Sequence, residues 1–501
     1  MWQLLSGFAS VLEPFHFLML TIGAALGILV GALPGLSSPM AIIVLLPITY
    51  GMEPLPALLM MVGVYVGTKL GGSFSAILLR TPGTPAAACT ALDGYPMAQK
   101  GEAARALGLA TIGSALGGTI GWIIAVAFLP LIAAVAVNSG NADIALIGTA
   151  GLVMVSAFVR GSTLKGLIGV VIGLLIGTVG LDPITASERF TFGSFYLTEG
   201  IPFGAALIGF FGIAVVLADM ELIGLRQELV AKAVNMKMPS FREVVRGRWA
   251  ILIGSLYGTG VGAVPGVGAE GATWLAYATV RNKSKDRAEF GKGHPEGVLA
   301  PESCNNAVTG GTMLPMLTLG IPGDGSTAIM LGALVLHGVE PGVLLMRDHA
   351  DLAWGILAGL FVATIMSFVI GWSLVRAFVY VLTKDRSWLF PFVLVLAVLG
   401  AFASSNAMFP VFVAIGCGVL GFVLERLGFP IVTTVLGLIL GPIIEYNARV
   451  ALAISGGDWG TFIDAPHRIV AVALIVLLLG WEIRQAFRAS HEARAPAAAQ
   501  T

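Results

Sequence analysis

Residues 14–52, 106–142, 200–218, 249–269, 352–375 and 387–424 contain no Lys, Arg, Asp or Glu. A helix crossing about 30 Å of hydrocarbon needs roughly 20 apolar residues. Several of these stretches therefore hold one crossing, and 387–424 is long enough for two. A membrane β-barrel would instead show alternating segments of about 10 residues, a pattern absent here. The sequence predicts an all-α, polytopic protein embedded in the lipid bilayer. Composition agrees: 11% of the 501 residues are charged, against about 25% in soluble domains. That excludes a soluble enzyme and a disordered chain. Equal numbers of basic and acidic residues, 28 each, leave no basic footprint for nucleic acid.

Glycine-proline clusters interrupt the apolar pattern. Gly31-Ala32-Leu33-Pro34-Gly35-Leu36-Ser37-Ser38-Pro39 comes first, then Arg80-Thr81-Pro82-Gly83-Thr84-Pro85. Gly262-Ala263-Val264-Pro265-Gly266-Val267-Gly268 echoes the first at an offset of 231, and Leu319–Ser326 echoes the second at 240. Between them Gly71-Gly72 answers Gly310-Gly311 at 239. Matching landmarks in the same order predict an internal repeat, about 31–101 against 262–342.

Loop charge sets the expected orientation. Loop 225–248 carries Arg226, Lys232, Lys237, Arg242, Arg246 and Arg248; loop 281–292 carries Arg281, Lys283, Lys285, Arg287 and Lys292. Both are expected in the cytoplasm, so 249–280 enters the membrane and returns on one side, a re-entrant hairpin with Pro265-Gly266 at its tip. Segment 17–50 is flanked by Glu13 and Glu53 without Lys or Arg, so its hairpin is expected to enter from outside. The expected layout is a first repeat over 1–224 (hairpin 17–50, broken helix 55–90, further helices) and a basic cytoplasmic linker, 225–248. A second, inverted repeat follows over 249–501 (hairpin 249–280, broken helix 293–337, further helices). This gives about 11 crossings plus two re-entrant hairpins, with the N-terminus outside and the C-terminus inside. No Lys or Arg precedes Lys69, so no cleavable signal peptide is expected.

Inverted repeats with broken helices recur in secondary transporters. Each break presents backbone N–H groups to an anion and carbonyls to a cation. Four breaks from two repeats would frame one site near the midplane. Gly35, Ser37 and Ser38 mark the first break; Ser73, Thr81, Gly83 and Thr84 the second; Gly266 the third; Asn305, Asn306, Gly323 and Ser326 follow. Their hydroxyls, amides and bare backbone suit carboxylate oxygens, although Ser and Thr also serve simply to cap helix ends. Lys69 lies in an apolar span and is either a partner for a substrate carboxylate or a snorkelling or ion-paired lysine, with Glu53 or Asp93 as partner. Glu270 and Asp324 are candidate cation or proton sites, or lie at a water boundary. The histidines are isolated, and Cys89, Cys304 and Cys417 have no metal-ligand spacing, so no metal centre is expected.

These motifs resemble the large membrane subunit of tripartite tricarboxylate transporters, the TctA-type family. The resemblance rests on Gly31–Leu36, Tyr65–Ser73, Thr81–Pro85, Asp93–Met97 and Gly101–Ala103. It continues through Gly262–Gly268, Pro301–Ser303, Asn305–Ala307 and Gly320–Ser326. It implies a multi-pass bacterial inner-membrane transporter of citrate or another carboxylate. The resemblance further implies a driving cation, Na+ or H+, a periplasmic solute-binding protein and a small membrane subunit of about four helices. One rival is the permease of an ATP-driven importer, since Glu102-Ala103-Ala104 with Gly108 resembles a coupling loop, but the longer pattern does not follow. An intramembrane enzyme would need a motif such as H-E-x-x-H or G-x-S-x-G, and neither occurs. A channel would need a filter ring, and none is evident.

Overall fold

The computed structural model describes residues 2–33, 37–80, 82–137, 140–158, 163–220, 238–264, 268–381, 389–403 and 406–498. The first part comprises α1 (Trp2–Val11), α2 (Pro14–Gly31), α3 (Ser38–Thr49), α4 (Pro54–Leu79), a 3-10 turn (Pro85–Ala88), α5 (Ala91–Gln99) and α6 (Ala103–Val137). Next come α7 (Asn141–Phe158), α8 (Thr163–Gly177), a two-residue ladder of β1 (Gly180–Leu181) on β2 (Glu188–Arg189), α9 (Phe195–Thr198), α10 (Phe203–Leu207) and α11 (Ala214–Met220). A π-helical turn, Ile208–Ile213, joins α10 to α11. The later part holds α12 (Phe241–Arg246), α13 (Arg248–Gly262), α14 (Gly268–Lys283), α15 (Glu296–Leu319), α16 (Gly325–Leu336), α17 (Val343–Asp348) and α18 (Ala350–Val381). The chain closes with α19 (Leu389–Ala403), α20 (Phe409–Arg426), α21 (Ile431–Ile454) and α22 (Pro466–Ala498).

Among the described residues, six helices are long and apolar enough to cross a membrane by length and composition: α2, α4, and parts of or all of α6, α18, α20 and α21. Shorter apolar helices accompany them, including α3, α7, α8 and α16. This is a polytopic all-α membrane protein. Prolines start several helices, where a missing N–H costs nothing: Pro14 in α2, Pro39 in α3, Pro54 in α4.

Glycine lets the central helices touch backbone to backbone. On α2, a β-carbon at Gly27 would stand 2.5 Å from the Val64 carbonyl oxygen of α4, and one at Gly31 would stand 2.6 Å from that of Thr68. α13 meets α15 in the same way. Gly258 lies against the Cys304 carbonyl, and Gly262 lies 2.8 Å from that of Val308 by the same measure. The two contacts are related by offsets of 231 and 240. They also align Gly71, packed on Ile28, with Gly311, packed on Thr259, an offset of 240 rather than 239.

Both long helices of these pairs stop at a left-handed residue. Arg80 ends α4 at φ 58°, and Gly320 ends α15 at φ 69°. Left-handed backbone breaks the hydrogen-bond ladder and is natural for glycine, less so for arginine. The chain then turns and resumes as the 3-10 turn after Thr84 or as α16 after Asp324. The sequence-predicted broken helices, 55–90 and 293–337, are thus each two helical pieces about a short turn. The hairpin segments 17–50 and 249–280 are α2 with α3 and α13 with α14; their tips, 34–36 and 265–267, lie outside the described residues.

Candidate functional site

α4 is enclosed along most of its length, and nearly every side chain from Pro56 to Ile77 is buried. Tyr65, Thr68 and Lys69 share one face by their three- and four-residue spacing. That face looks onto a cavity of about 240 Å3 lined by Ser37, Ser38, Lys69, Thr84, Glu270 and Asp324, with Gly323 and Ser326 beside them. Four breaks in the chain meet here: the start of α3, the 3-10 turn after Thr84, the start of α14 and the start of α16.

Local chemistry fixes each wall. Ser37 caps α3, its hydroxyl accepting from the Met40 N–H at 3.4 Å. Thr68 donates to the Ser38 hydroxyl at 2.7 Å, tying α4 to that start. Asp324 caps α16 in a capping box: its carboxylate accepts from the Thr327 N–H at 2.9 Å, and Thr327 answers the Asp324 N–H at 3.0 Å. The other Asp324 oxygen accepts from the Tyr65 hydroxyl at 2.6 Å and lies 3.7 Å from the Lys69 ammonium. That ammonium also sits 5.0 Å from the centre of the Tyr65 ring, and Thr312 lies 3.1 Å from the Tyr65 hydroxyl. The Thr84 hydroxyl is buried and meets no partner among the described residues.

Of the sequence-predicted residues, Ser37, Ser38, Lys69, Thr84, Gly323, Ser326, Glu270 and Asp324 come together at this cavity. Lys69 pairs with Asp324; the sequence suggested Glu53 or Asp93 as protein partners. Asp93 is committed elsewhere: it accepts from the N–H groups of Gly291, Gly293 and His294 and from the Tyr277 hydroxyl, clamping the chain before α15 onto α5. Ser73 and Asn305 sit one layer behind the cavity, both donating to the Lys69 carbonyl, at 3.3 and 3.4 Å. Asn306 points away from it and donates to Ser114 of α6 at 2.8 Å. Gly83 is wedged between helices: a β-carbon there would overlap the Gly31 carbonyl oxygen and stand 2.9 Å from the Gly72 Cα. Its glycine serves this close approach of backbones, whereas the sequence suggested an approach to ligand. Gly35, Thr81 and Gly266 lie outside the described residues.

Two residues of the cluster escaped the sequence reading. Tyr65 reads as one more apolar residue of a core helix. Glu302, fully buried in α15, stands between Pro301 and Ser303; as the lone acid between Glu296 and Asp324 it carried a signal of its own. Among the described residues no group of three or more His, Cys, Asp or Glu is placed to hold a metal ion.

Known proteins resemble the chain along nearly its whole length. A model of the tripartite tricarboxylate transporter TctA family matches residues 17–436. A protein of Agrobacterium vitis, described as "Uncharacterized 52.8 kDa protein in TAR-I ttuC' 3'region", is 36% identical over 475 residues, 94% of each chain. A second from the same organism, "Uncharacterized protein in TAR-II ttuC' 3'region", is 36% identical over 224 residues, 44% of this chain and 93% of its own. No solved structure matches.

Proposed function

The chain belongs to the tripartite tricarboxylate transporter TctA family, and on that premise we propose that it carries a tricarboxylate or related small carboxylate across the bacterial inner membrane. One observation carries the reading: four chain breaks converge on a single cavity that also holds Lys69. Helix starts and an ammonium together favour a carboxylate ligand. About 240 Å3 is below the roughly 300–1,000 Å3 of pockets for drug-sized ligands and suits a small organic ion.

Charge argues for a driving cation. Lys69, Asp324 and Glu270 line the cavity, so the protein's own side chains do not supply the positive charge that a tricarboxylate needs. A co-transported Na+ or H+ offsets the difference, and the cavity's carboxylates, Asp324 and Glu270, are the candidate places for it. We take 1–224 and 249–501 as two repeats of opposite orientation, with α2–α3 and α13–α14 as re-entrant hairpins and 225–248 as the cytoplasmic linker. The recurring contacts at offsets of 231 and 240 support the repeat; the basic loops support its direction.

Tripartite systems add a binding protein and a small membrane subunit to this large one. On the proposed outer side, the segment after β1 is braced by buried Asp182, which pairs with Arg189 and with Arg449 of α21 at 2.5 Å. It holds Phe192 and Phe195 outward, 88% and 80% exposed, a surface suited to the periplasmic binding protein.

Two experiments test this. In proteoliposomes supplied with the binding protein and small subunit, and without ATP, an imposed Na+ or H+ gradient should drive accumulation from a carboxylate panel. Accumulation only with ATP would favour an ATP-driven permease. Cysteines placed in 238–247 and 284–292 should react only from the cytoplasmic face and one at Glu53 only from the periplasm. Labelling of the two basic loops from opposite faces would make 249–280 a plain crossing and remove the inverted repeat.

A further inference from the structure

Glu302 is the acid that the cavity does not use. It is fully buried on the face of α15 that meets α4 and α5. One carboxylate oxygen, Oε1, accepts from the Ser73 hydroxyl at 2.6 Å and from the Thr90 hydroxyl. The other, Oε2, meets no donor among the described residues. Three residues on, Asn305 gives its amide N–H to the Lys69 carbonyl and leaves its own Oδ1 unpartnered and buried. Two orphaned acceptor oxygens therefore occupy one helix face.

Among the described residues, no Lys, Arg or His pairs with Glu302. Lys69 of α4 is the nearest base in sequence to Ser73, and its ammonium is turned to Asp324. α6 presents Gly113, whose β-carbon position lies 3.3 Å from the Glu302 Cβ. Cys304, two residues on in α15, and Cys89, next to Thr90, are buried thiols, and Asp93 of α5 is bonded to Tyr277 of α14. A buried, unpaired carboxylate costs several kcal/mol, so a single positive charge is strongly favoured there.

We propose that Glu302, with Asn305, is a coupling site that takes up one positive charge, a proton or a sodium ion, during each transport cycle. This rests on the transport reading above. One carboxylate among neutral oxygens matches a monovalent ion and not a divalent one. In the proton case an O–H bond forms at Oε2 and the carboxylate becomes neutral; in the sodium case the ion is held by Oε2 and Oδ1 with no bond broken. The link to substrate is short. The Lys69 carbonyl accepts from both Ser73 and Asn305, while the Lys69 ammonium stands in the cavity. Cation uptake at Glu302 acts on the contacts that seat α4 against α15, one helical turn from that ammonium.

The test is infrared difference spectroscopy on the purified full-length chain. The carboxyl C=O band and the carboxylate stretching bands are followed as pH is lowered without Na+, and again as Na+ is added at fixed pH. A band that responds to pH alone identifies the proton; one that responds to Na+ identifies sodium. Either should vanish in Glu302→Gln. Thr90→Val, which removes one donor to the carboxylate and leaves the fold's apolar contacts in place, should move the midpoint of the band roughly tenfold in ion concentration. In vesicles, Glu302→Gln should lose at least tenfold of gradient-driven accumulation and retain carboxylate exchange. A band unchanged in Glu302→Gln, no band with either ion, or full accumulation by that variant overturns the proposal. If the band depends on Glu302 but wild-type vesicles accumulate no carboxylate, the transport reading fails and the cation site stands.

Discussion

Gly83→Ala should leave a protein that does not transport and is markedly less stable. The added methyl would overlap the Gly31 carbonyl oxygen and crowd the Gly72 Cα and the Ser75 hydroxyl, each at 2.9 Å. All but the last are backbone, so no side-chain rotation relieves the clash, and the turn joining α4 to α5 must move. Overpacking of this kind costs about 1–3 kcal/mol when side chains yield, and backbone obstruction places Gly83 at or above the upper end. Thermal unfolding in detergent should show a drop of several degrees, with uptake lost alongside. Gly260→Ala is the control: nothing lies within 4 Å of its β-carbon position on α13, and alanine is favoured over glycine in a helix by about 0.5–1 kcal/mol. That variant should be as stable as wild type or more so. Equal stability of the two variants would contradict the packing described for the break.

Asp324→Asn should be at least as damaging, for an electrostatic reason. Asp324 is the ion partner of Lys69, whose side chain is 7% exposed. Removing one member of a buried pair leaves the other charge uncompensated, at about 3–5 kcal/mol. The variant also weakens the cap of α16, although asparagine can still accept from Thr327. Lys69→Met in the same chain should recover most of the stability by removing the stranded charge, yet transport should stay absent because the ammonium in the cavity is gone. If the double variant is no more stable than Asp324→Asn alone, the Lys69–Asp324 pair is not what holds this wall together.

The membrane architecture was legible because bilayer length leaves so plain a mark: charge-free runs of about 20 residues. The breaks were legible through Pro-Gly pairs, and the structure brings their Ser37, Ser38, Thr84, Gly323 and Ser326 to one cavity. What sequence could not provide was which groups face one another across helices. Lys69 lies 255 positions from Asp324, and Tyr65 is 247 from Thr312; pairing at that distance depends on packing, not on spacing. Glu302 escaped for a related reason. As the lone acid between Glu296 and Asp324 it stood out in sequence, but the hydrogen bonds that Ser73 and Thr90 give it depend on packing across helices. Gly83 is a different case: the sequence offered its bare backbone to a carboxylate, and the structure sets the Gly31 carbonyl against it.

The claim on which everything else depends is that substrate sits where the four breaks meet. Ser326→Cys, in a chain whose Cys89, Cys304 and Cys417 are all buried, places a reactive thiol on the cavity wall. Its rate of modification by a small, water-soluble thiol reagent should fall at least tenfold when a transported carboxylate is present with the driving cation. A cysteine at exposed Ser187 should show no protection. Undiminished labelling of Ser326→Cys under saturating transported carboxylate would contradict the site and place substrate elsewhere in the bundle.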